Sequence, residues 1–442
     1  MWRDSHAIII AKKNQFNLKS LRQIAWIIFF LCRSFADHAQ DTLTNRPAQG
    51  KEGPPPKKFA LFSYDPSKQL DVMDIGRMAL KSGAKQRVET DAHVPGKLHV
   101  SPLVAPTYTI QTGFGALIGS EFAFYTDSGR TADISSILTS INYTQYQQTI
   151  FPVESSIWTK HNKYNFQTDW RYLNYPSLTY GLGAGTPLSN GYYIDYFSLR
   201  LHQSVFRSIA KNTYVGIGYD YDHFWDIKEL NAQGGDSTGG NTDFDRYGFS
   251  KSSTSSGISV GLLYDSRRNS INPDQGNYLN FSYRPRFTFM GSDANWESLL
   301  VEFKHYQKLP ANSNNVLAVW SYNWLTLSGN PPYLLLPSTG WDAYWNTGRG
   351  YTQGRFRSKN MVYLESEYRF GITPDGLIGG VVFINAESFT EMITNKFEYI
   401  DPGYGLGIRI KLNKFSRTNF CIDYGWGLSG NRGFALNIGE VF

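Results

Sequence analysis

One arginine in this chain, Arg349, stands where a planar fork of donors could be put to use. It lies in Gly348-Arg349-Gly350-Tyr351, ahead of a basic run holding Arg355, Arg357 and Lys359. The next segment, to Phe370, alternates Glu365 and Glu367 with apolar residues, and Phe383-Ile384-Asn385-Ala386-Glu387 follows in the same style. A guanidinium matches carboxylate geometry, and such a pair holds best when partly withdrawn from water. The chemistry on offer is a charged clamp rather than bond making. Catalytic candidates are thinner. His202 and Ser204 share one face of a strand, but no partner that would orient the imidazole can be named, so the nucleophile–base arrangement is incomplete. Asp220, Asp222 and His223 fall at a strand end, where solvated polar residues are expected. The remaining histidines lack metal-ligand spacing. Asn231–Asp245 could hold calcium, but without metal-loop spacing it reads as a flexible outward loop. The chain is read as a non-enzyme without a metal or cofactor.

A clamp needs elements to hold it, and period-two alternation supplies them. In 277–289, Leu279, Phe281, Tyr283, Phe287 and Phe289 share one face, with Arg284 and Arg286 on the other. In 404–412, Tyr404, Leu406, Ile408, Ile410 and Leu412 alternate with Gly405, Gly407, Arg409 and Lys411. Cations opposite a wholly apolar face suit a strand between lipid and a wet lumen better than one in a sandwich core. Fifteen such segments can be read after residue 103. Single-chain bacterial barrels have even strand numbers, so sixteen are expected. The missing one lies in 105–126, which Gly113 and Gly115 interrupt, or in Leu178–Gly183.

Strand phase places Glu365, Glu367, Asn385 and Glu387 inward. It places Phe434, Leu436, Ile438 and Phe442 outward, with Glu440 the exception. Between Ser328 and Lys359 lies a stretch too long for a simple connection, carrying Trp341, Tyr344 and Trp345 to bury. It can fold into the lumen with Arg349 at its tip, or lie at the surface with Arg349 solvated; phase alone allows both. Asp265, Arg267, Asn269, Pro273 and Gly276 form a polar turn that fixes the register of a hairpin.

Compartment follows from the N-terminus. Lys12, Lys13, Lys19 and Arg22 precede an apolar run from Ile24 to Cys32, too short to span a bilayer but suited to a secretory signal. Small residues at Ser34, Ala36 and Ala39 allow cleavage, which predicts a signal peptide over 1–39 and a proline-rich linker over 40–58. A plug or periplasmic segment with one short helix over 59–102 and a barrel over 103–442 complete the plan. Residues 1–40 carry most of the formal charge of +6, so the mature chain is nearly neutral and nucleic acid is not an expected partner. Losing Cys32 leaves Cys421 without a disulfide partner. With Tyr 29, Phe 29, Trp 11, Gly 41 and only 18% charged residues, the composition is aromatic and glycine-rich, in keeping with a membrane barrel.

Arg349-Gly350-Tyr351 after a long loop resembles the V-R-G-F/Y tip of the BamA/TamA-type outer-membrane superfamily, with Gly348 in place of valine. Glu367 matches that family's acidic residue on the following strand. Phe383–Glu387 falls where the family has F-x-D-x-G, with Asn385 for the aspartate and Glu387 for the glycine. The resemblance thus implies a neutral-acceptor hydrogen bond from Arg349 to Asn385 and makes Glu367 the charged partner. Asp265–Gly276 is similar to the family's D-x-R-x-N…P-x-x-G turn, and Phe442 to its terminal aromatic. The resemblance covers roughly 100–442 and implies a sixteen-stranded barrel that inserts or translocates polypeptide, or lipid, in the outer membrane of a Gram-negative bacterium. It also implies a seam between first and last strands that opens laterally. The periplasmic POTRA repeats of its best-understood members are not found in the sequence. The expected partners are the lipid bilayer, unfolded outer-membrane proteins and a separate periplasmic protein, with the chain itself a monomer. The competing reading is a diffusion channel preferring anions through Arg284, Arg286, Arg409 and Lys411.

Overall fold

The computed structural model describes residues 68–79, 98–109, 113–127, 131–230, 242–248, 250–342 and 345–442. The signal peptide and proline-rich linker expected over 1–58 lie outside these residues, as do Tyr344 and most of the Asn231–Asp245 loop. A short helix, α1 (Val72–Ala79), comes first. The strands are β1 (His99–Thr109), β2 (Gly113–Phe124), β3 (Ser135–Thr144), β4 (Thr149–Trp158), β5 (Tyr164–Asn174), β6 (Ser177–Thr179), β7 (Tyr192–Ala210), β8 (Thr213–Leu230) and β9 (Ser252–Asp265). They continue as β10 (Gly276–Arg286), β11 (Trp296–Lys308), β12 (Val316–Gly329), β13 (Asn360–Gly371), β14 (Ile378–Phe389), β15 (Asp401–Asn413), β16 (Thr418–Gly427) and β17 (Arg432–Ile438). A second short helix, α2 (Asp243–Gly248), interrupts the β8–β9 connection.

All seventeen strands form one sheet. Antiparallel registers join each long strand to the next, and three-residue β6 is an extra rung on β7. Sixteen strands remain when β6 is set aside. Both candidates for the missing strand prove real: the first segment splits into β1 and β2, and Leu178 lies in β6. The architecture is an antiparallel barrel, the one sheet form that satisfies its backbone groups within lipid.

Burial runs opposite to that of a water-soluble protein. On β14 and β15, Ile384 is 62% and Tyr404 60% exposed, while Arg409 is 4% exposed and Glu365 on β13 wholly buried. Apolar side chains face outward toward lipid and charged ones toward the interior. The ends also differ. Connections at 211–212, 309–315, 372–377 and 414–417 are short, whereas those at 175–191, 330–359 and 390–400 are long. Helix α1 sits at the short-turn end: Leu70 N–H donates to the Asp375 carbonyl at 3.0 Å, and the Lys414 ammonium lies 2.8 Å from Asp74.

The closing of the barrel is unusual in geometry. Among the described residues no ladder register joins β1 to β17. Instead the two ends of the sheet overlap. Thr418, at the start of β16, donates to inward-facing Glu121 of β2 at 2.6 Å, and accepts from Ser101 of β1 at 3.3 Å. The Ile438 side chain, on the outer face of β17, lies 3.2 Å from where a Cβ on inward-facing Gly119 would sit. The last strand is thus tucked behind the first ones.

Phe442 departs from the outward phase expected for it. It is buried in the lumen, stacked on Trp320 at 5.1 Å between ring centres, with the Arg369 guanidinium 5.5 Å away. Gly439, at φ +90°, breaks the alternation after Ile438 and turns the chain inward, taking Glu440 and Phe442 with it. Nothing lies within 4 Å of a Cβ added there, so only backbone strain opposes a substitution. Gly439→Ala should therefore destabilise the barrel by about 1–2 kcal/mol, seen as a lower temperature for loss of the compact form on heat-modifiability gels. An unchanged transition would mean that the inward turn is not held.

Candidate functional site

The long connection 330–359 folds into the barrel, as one of the two readings of its sequence had it. Tyr333, Leu335, Leu336, Tyr351 and Phe356 are all buried. Trp341 and Trp345 pack on each other at 5.4 Å, and Tyr175 meets Trp341 edge-on at 5.4 Å. The loop is also knitted to its neighbours at the long-loop end. Arg355 donates to the Thr186 carbonyl at 2.6 Å, and the Arg357 carbonyl accepts from Gly183 N–H at 2.8 Å. The two flanking long connections are joined to each other as well, Glu391 accepting from the backbone N–H groups of Ala184 and Gly185 at 2.8 and 3.0 Å.

Its tip descends onto a shelf of glycines. Gly405, Gly425 and Gly433 lie side by side across β15, β16 and β17. A Cβ on Gly425 would come within 2.8 Å of Gly350 N, and one on Gly403 within 2.7 Å of the Arg349 carbonyl. The tip needs glycine of its own. Gly350 has φ +109°, and a Cβ there would lie 2.8 Å from the Trp426 carbonyl oxygen. Gly348 has φ +73°, with Thr339 and Glu387 against it; this conformation strains any β-branched residue, valine included.

Held there, Arg349 is buried among three carboxylates. Its Nη2 donates to Glu365 and, at 2.5 Å, to Glu367; Nη1 donates to Asp423 at 3.0 Å. Its guanidinium lies 3.8 Å from the centre of the Phe383 ring. Tyr363 donates to Glu365, leaving that carboxylate doubly bound. The network extends sideways: Arg369 donates to Glu367 at 2.5 Å and to the Phe442 main-chain oxygen at 2.8 Å. Arg409 donates to Asp423 at 2.6 Å and to Glu440 at 2.9 Å. Three arginines thus alternate with four carboxylates. Buried charge is tolerated only when paired and hydrogen-bonded in this way.

Of the sequence-predicted partners, Glu365 and Glu367 meet the Arg349 side chain and two do not. Asn385 does not accept from the guanidinium; its amide donates to the Arg349 carbonyl at 2.8 Å and so holds the backbone of the tip. Glu387 accepts from the Thr339 hydroxyl at 3.1 Å, bracing the loop's descending limb. Asp423, Arg409 and Glu440 were not anticipated. The glycines facing Asp423 and the broken outward phase at Glu440 were the available signals.

The Asp265–Gly276 turn also does more than set register. Arg267 grips Asp265 at 2.7 and 2.9 Å, and Asn269 caps the turn by accepting from Ile271 and Asn272 N–H at 2.9 and 2.8 Å. Asn269 and Asn272 then reach the Ser416 and Arg417 carbonyls, each at 3.3 Å. Asp274, after Pro273 and before Gly276, lies 3.5 Å from Arg417 and 3.6 Å from Lys308. The turn therefore ties the β9–β10 hairpin to the β15–β16 turn across the short-turn mouth.

A second charge ladder lines the β7–β10 wall, where Arg200 and His202 both lie 2.8 Å from Asp222 and Arg286 2.9 Å from Asp220. Asp222 is the orienting partner that His202 lacks in the sequence. Among the described residues, however, no hydrogen bond joins His202 to Ser204.

Removing Arg349 leaves three buried carboxylates facing one another. Arg349→Ala should cost about 3–5 kcal/mol, the scale for breaking a buried pair, and open 330–359 to protease. Glu367→Gln should loosen the same loop, and the double variant should be little worse than Arg349→Ala alone. Fully additive losses would show that the two side chains do not act together.

A search of curated proteins gave no match. Among solved structures, BamA from Haemophilus ducreyi lacking POTRA domains 1–3 is 13% identical, with 82% of this chain and 77% of that one covered at a TM-score of 0.45. CdiB from Acinetobacter baumannii is 11% identical, with 78% and 66% covered at 0.47. CdiB from Escherichia coli is 10% identical, with 78% and 67% covered at 0.48. The model of the Omp85 superfamily domain matches residues 118–442, from β2 to the last residue, and so takes in the loop tip, the carboxylates that hold it and the tucked last strand. This chain belongs to the Omp85 superfamily.

Proposed function

We propose that this chain is an outer-membrane barrel of a Gram-negative bacterium that inserts or translocates polypeptide, working with a separate periplasmic protein. The observation that carries this reading is the closing of the barrel. Every other long-strand neighbour is joined by a backbone ladder, whereas among the described residues the two ends meet without a ladder register, through contacts such as Thr418 with Glu121 and Ser101, Asn413 with the Val100 carbonyl, and the His99 and Phe415 rings. Separating such ends breaks few hydrogen bonds, so the seam is the part of the wall that opens at least cost. The braced loop supports the same reading, because a barrel that opens on one side needs its remaining wall stiffened from within. The short-turn end, where α1 docks, is where a periplasmic partner would act.

The lumen does not favour an anion channel. Of the four cations behind that reading, Arg286 and Arg409 are ion-paired with Asp220, Asp423 and Glu440, Arg284 lies over the Trp324 ring and Lys411 is buried, and the folded loop occupies the centre.

Depletion of the protein in its host should lower the outer-membrane level of particular barrel proteins, read by quantitative proteomics of that membrane. In planar bilayers the purified barrel should show small, fluctuating conductance. Large, steady, anion-selective openings with an unchanged outer-membrane proteome would sink the proposal.

A further inference from the structure

Cations at the short-turn end gather on one half of the rim. Lys160 and Lys163 lie in the connection between β4 and β5, Arg207 and Lys211 where β7 turns into β8, and Arg268 in the turn between β9 and β10; all five are exposed. The three connections are hydrogen-bonded into one surface. Ser208 N–H donates to the Lys163 carbonyl at 3.0 Å, and Asp265 N–H to that of Asn212 at 2.9 Å. Among the described residues none of the five cations has a carboxylate partner, and the carboxylates nearby are engaged elsewhere. Asp133 accepts from Asn162 at 2.9 Å, Asp127 from Ala132 N–H at 3.3 Å, and Asp265 is gripped by Arg267. The opposite half of the rim differs: the 309–315 turn carries no charge, and Lys414 and Arg417 are paired with Asp74 and Asp274. Like charges held together without counter-charges repel one another, which favours a bound anion.

The same surface meets lipid. In an outward row running across β5, β7, β8 and β9, Arg207 stands between Tyr164 and Val215, and Val215 beside Leu262. Ile209, Val215 and Leu262 are apolar and exposed. The Lys163 ammonium lies 5.6 Å from the centre of the Tyr164 ring. A cation whose stem rests on a lipid-facing wall and whose head reaches the rim sits at the level of the phospholipid phosphates. An acidic protein would be met by cations at the edge of the rim alone. The place of Arg207 within the lipid-facing row favours a headgroup.

We infer that these three turns bind the phosphate of an anionic phospholipid in the leaflet that meets the short-turn end. Lysine and arginine give charge-assisted hydrogen bonds to phosphate oxygens, and the fork of Arg207 or Arg268 can hold two at once. The inference does not depend on polypeptide being the transported substrate. Bound lipid pins the β4–β10 half of the rim to the membrane surface and leaves the half where α1 docks unpinned.

The test uses the full barrel in nanodiscs of phosphatidylcholine with a trace of phosphatidylglycerol bearing a diazirine on its headgroup. Illumination and peptide mapping should place about fivefold more adducts on 159–163 and 207–212 than on the uncharged 309–315 turn, the scale of one cation near an anionic membrane. The same diazirine on phosphatidylcholine should give no such excess. Lys160→Gln, Lys163→Gln, Arg207→Gln, Lys211→Gln and Arg268→Gln together should abolish the excess and leave both the 309–315 adducts and the heat-modifiability transition unchanged. Lys251→Gln with Lys396→Gln, at the long-loop end, should change nothing. Raising sodium chloride on the unaltered protein gives the same reading without any substitution, because exposed charges are screened and the excess should fall. An equal excess with the phosphatidylcholine label, or one that survives the five replacements, would overturn the inference. So would an excess cleared by inorganic phosphate or by poly-glutamate at an ionic strength where chloride leaves it intact, which would assign the turns to free phosphate or to an acidic protein.

Discussion

Arg349 is held charged where little bulk water reaches it, and much of the interior is arranged around that requirement. A lone guanidinium in such a place would be expelled or would unfold its surroundings. Here Glu365, Glu367 and Asp423 converge on it from β13 and β16. Glu367 and Asp423 in turn share Arg369 and Arg409, and Glu440 closes the pattern. Each charge has at least one opposite neighbour, so the cluster behaves as one unit. It links the loop to β13, β15, β16 and the segment after β17, which are the strands on one side of the seam.

Space is the complementary constraint. A loop can enter a barrel of this size only where the wall gives up side-chain volume. The glycine row across β15–β17 supplies that room, while the opposite walls carry the large residues Tyr306, Trp320 and Tyr322, which pack against Phe442 and one another. Depth and charge therefore act together: the shelf sets how far the tip descends, and the carboxylates set where its guanidinium points. Asn385 adds the backbone contact that fixes the peptide between them. The consequence is an asymmetric interior. The β13–β16 wall is densely paired, whereas the β2–β4 wall faces open lumen space beside the last strand.

Much of the architecture was legible along the chain. Alternation in 404–412 identified a strand between lipid and lumen, and phase on β13 put Glu365 and Glu367 inward, because the pleat makes side-chain direction a property of sequence parity. The loop's length and its buried aromatics made an inward fold one of two readings. The charged partner Asp423 was not legible. It lies on β16 and meets Arg349 only because the barrel curls β16 round to face β13. Parity also failed at Phe442, since a single left-handed residue, Gly439, shifts the side-chain phase of the last residues, a change that only Glu440 betrays in the sequence.

By itself, then, the sequence determined the strands, their two faces, the apolar outside and the inward direction of the acidic pair, all of which follow from local backbone geometry. Only the tertiary structure decided which inward residues meet. It alone made Asn385 a donor to the backbone instead of an acceptor from the guanidinium, and it alone tucked β17 behind β2. These outcomes depend on how the sheet closes, and closure sets distances between residues far apart in the chain that no local pattern encodes.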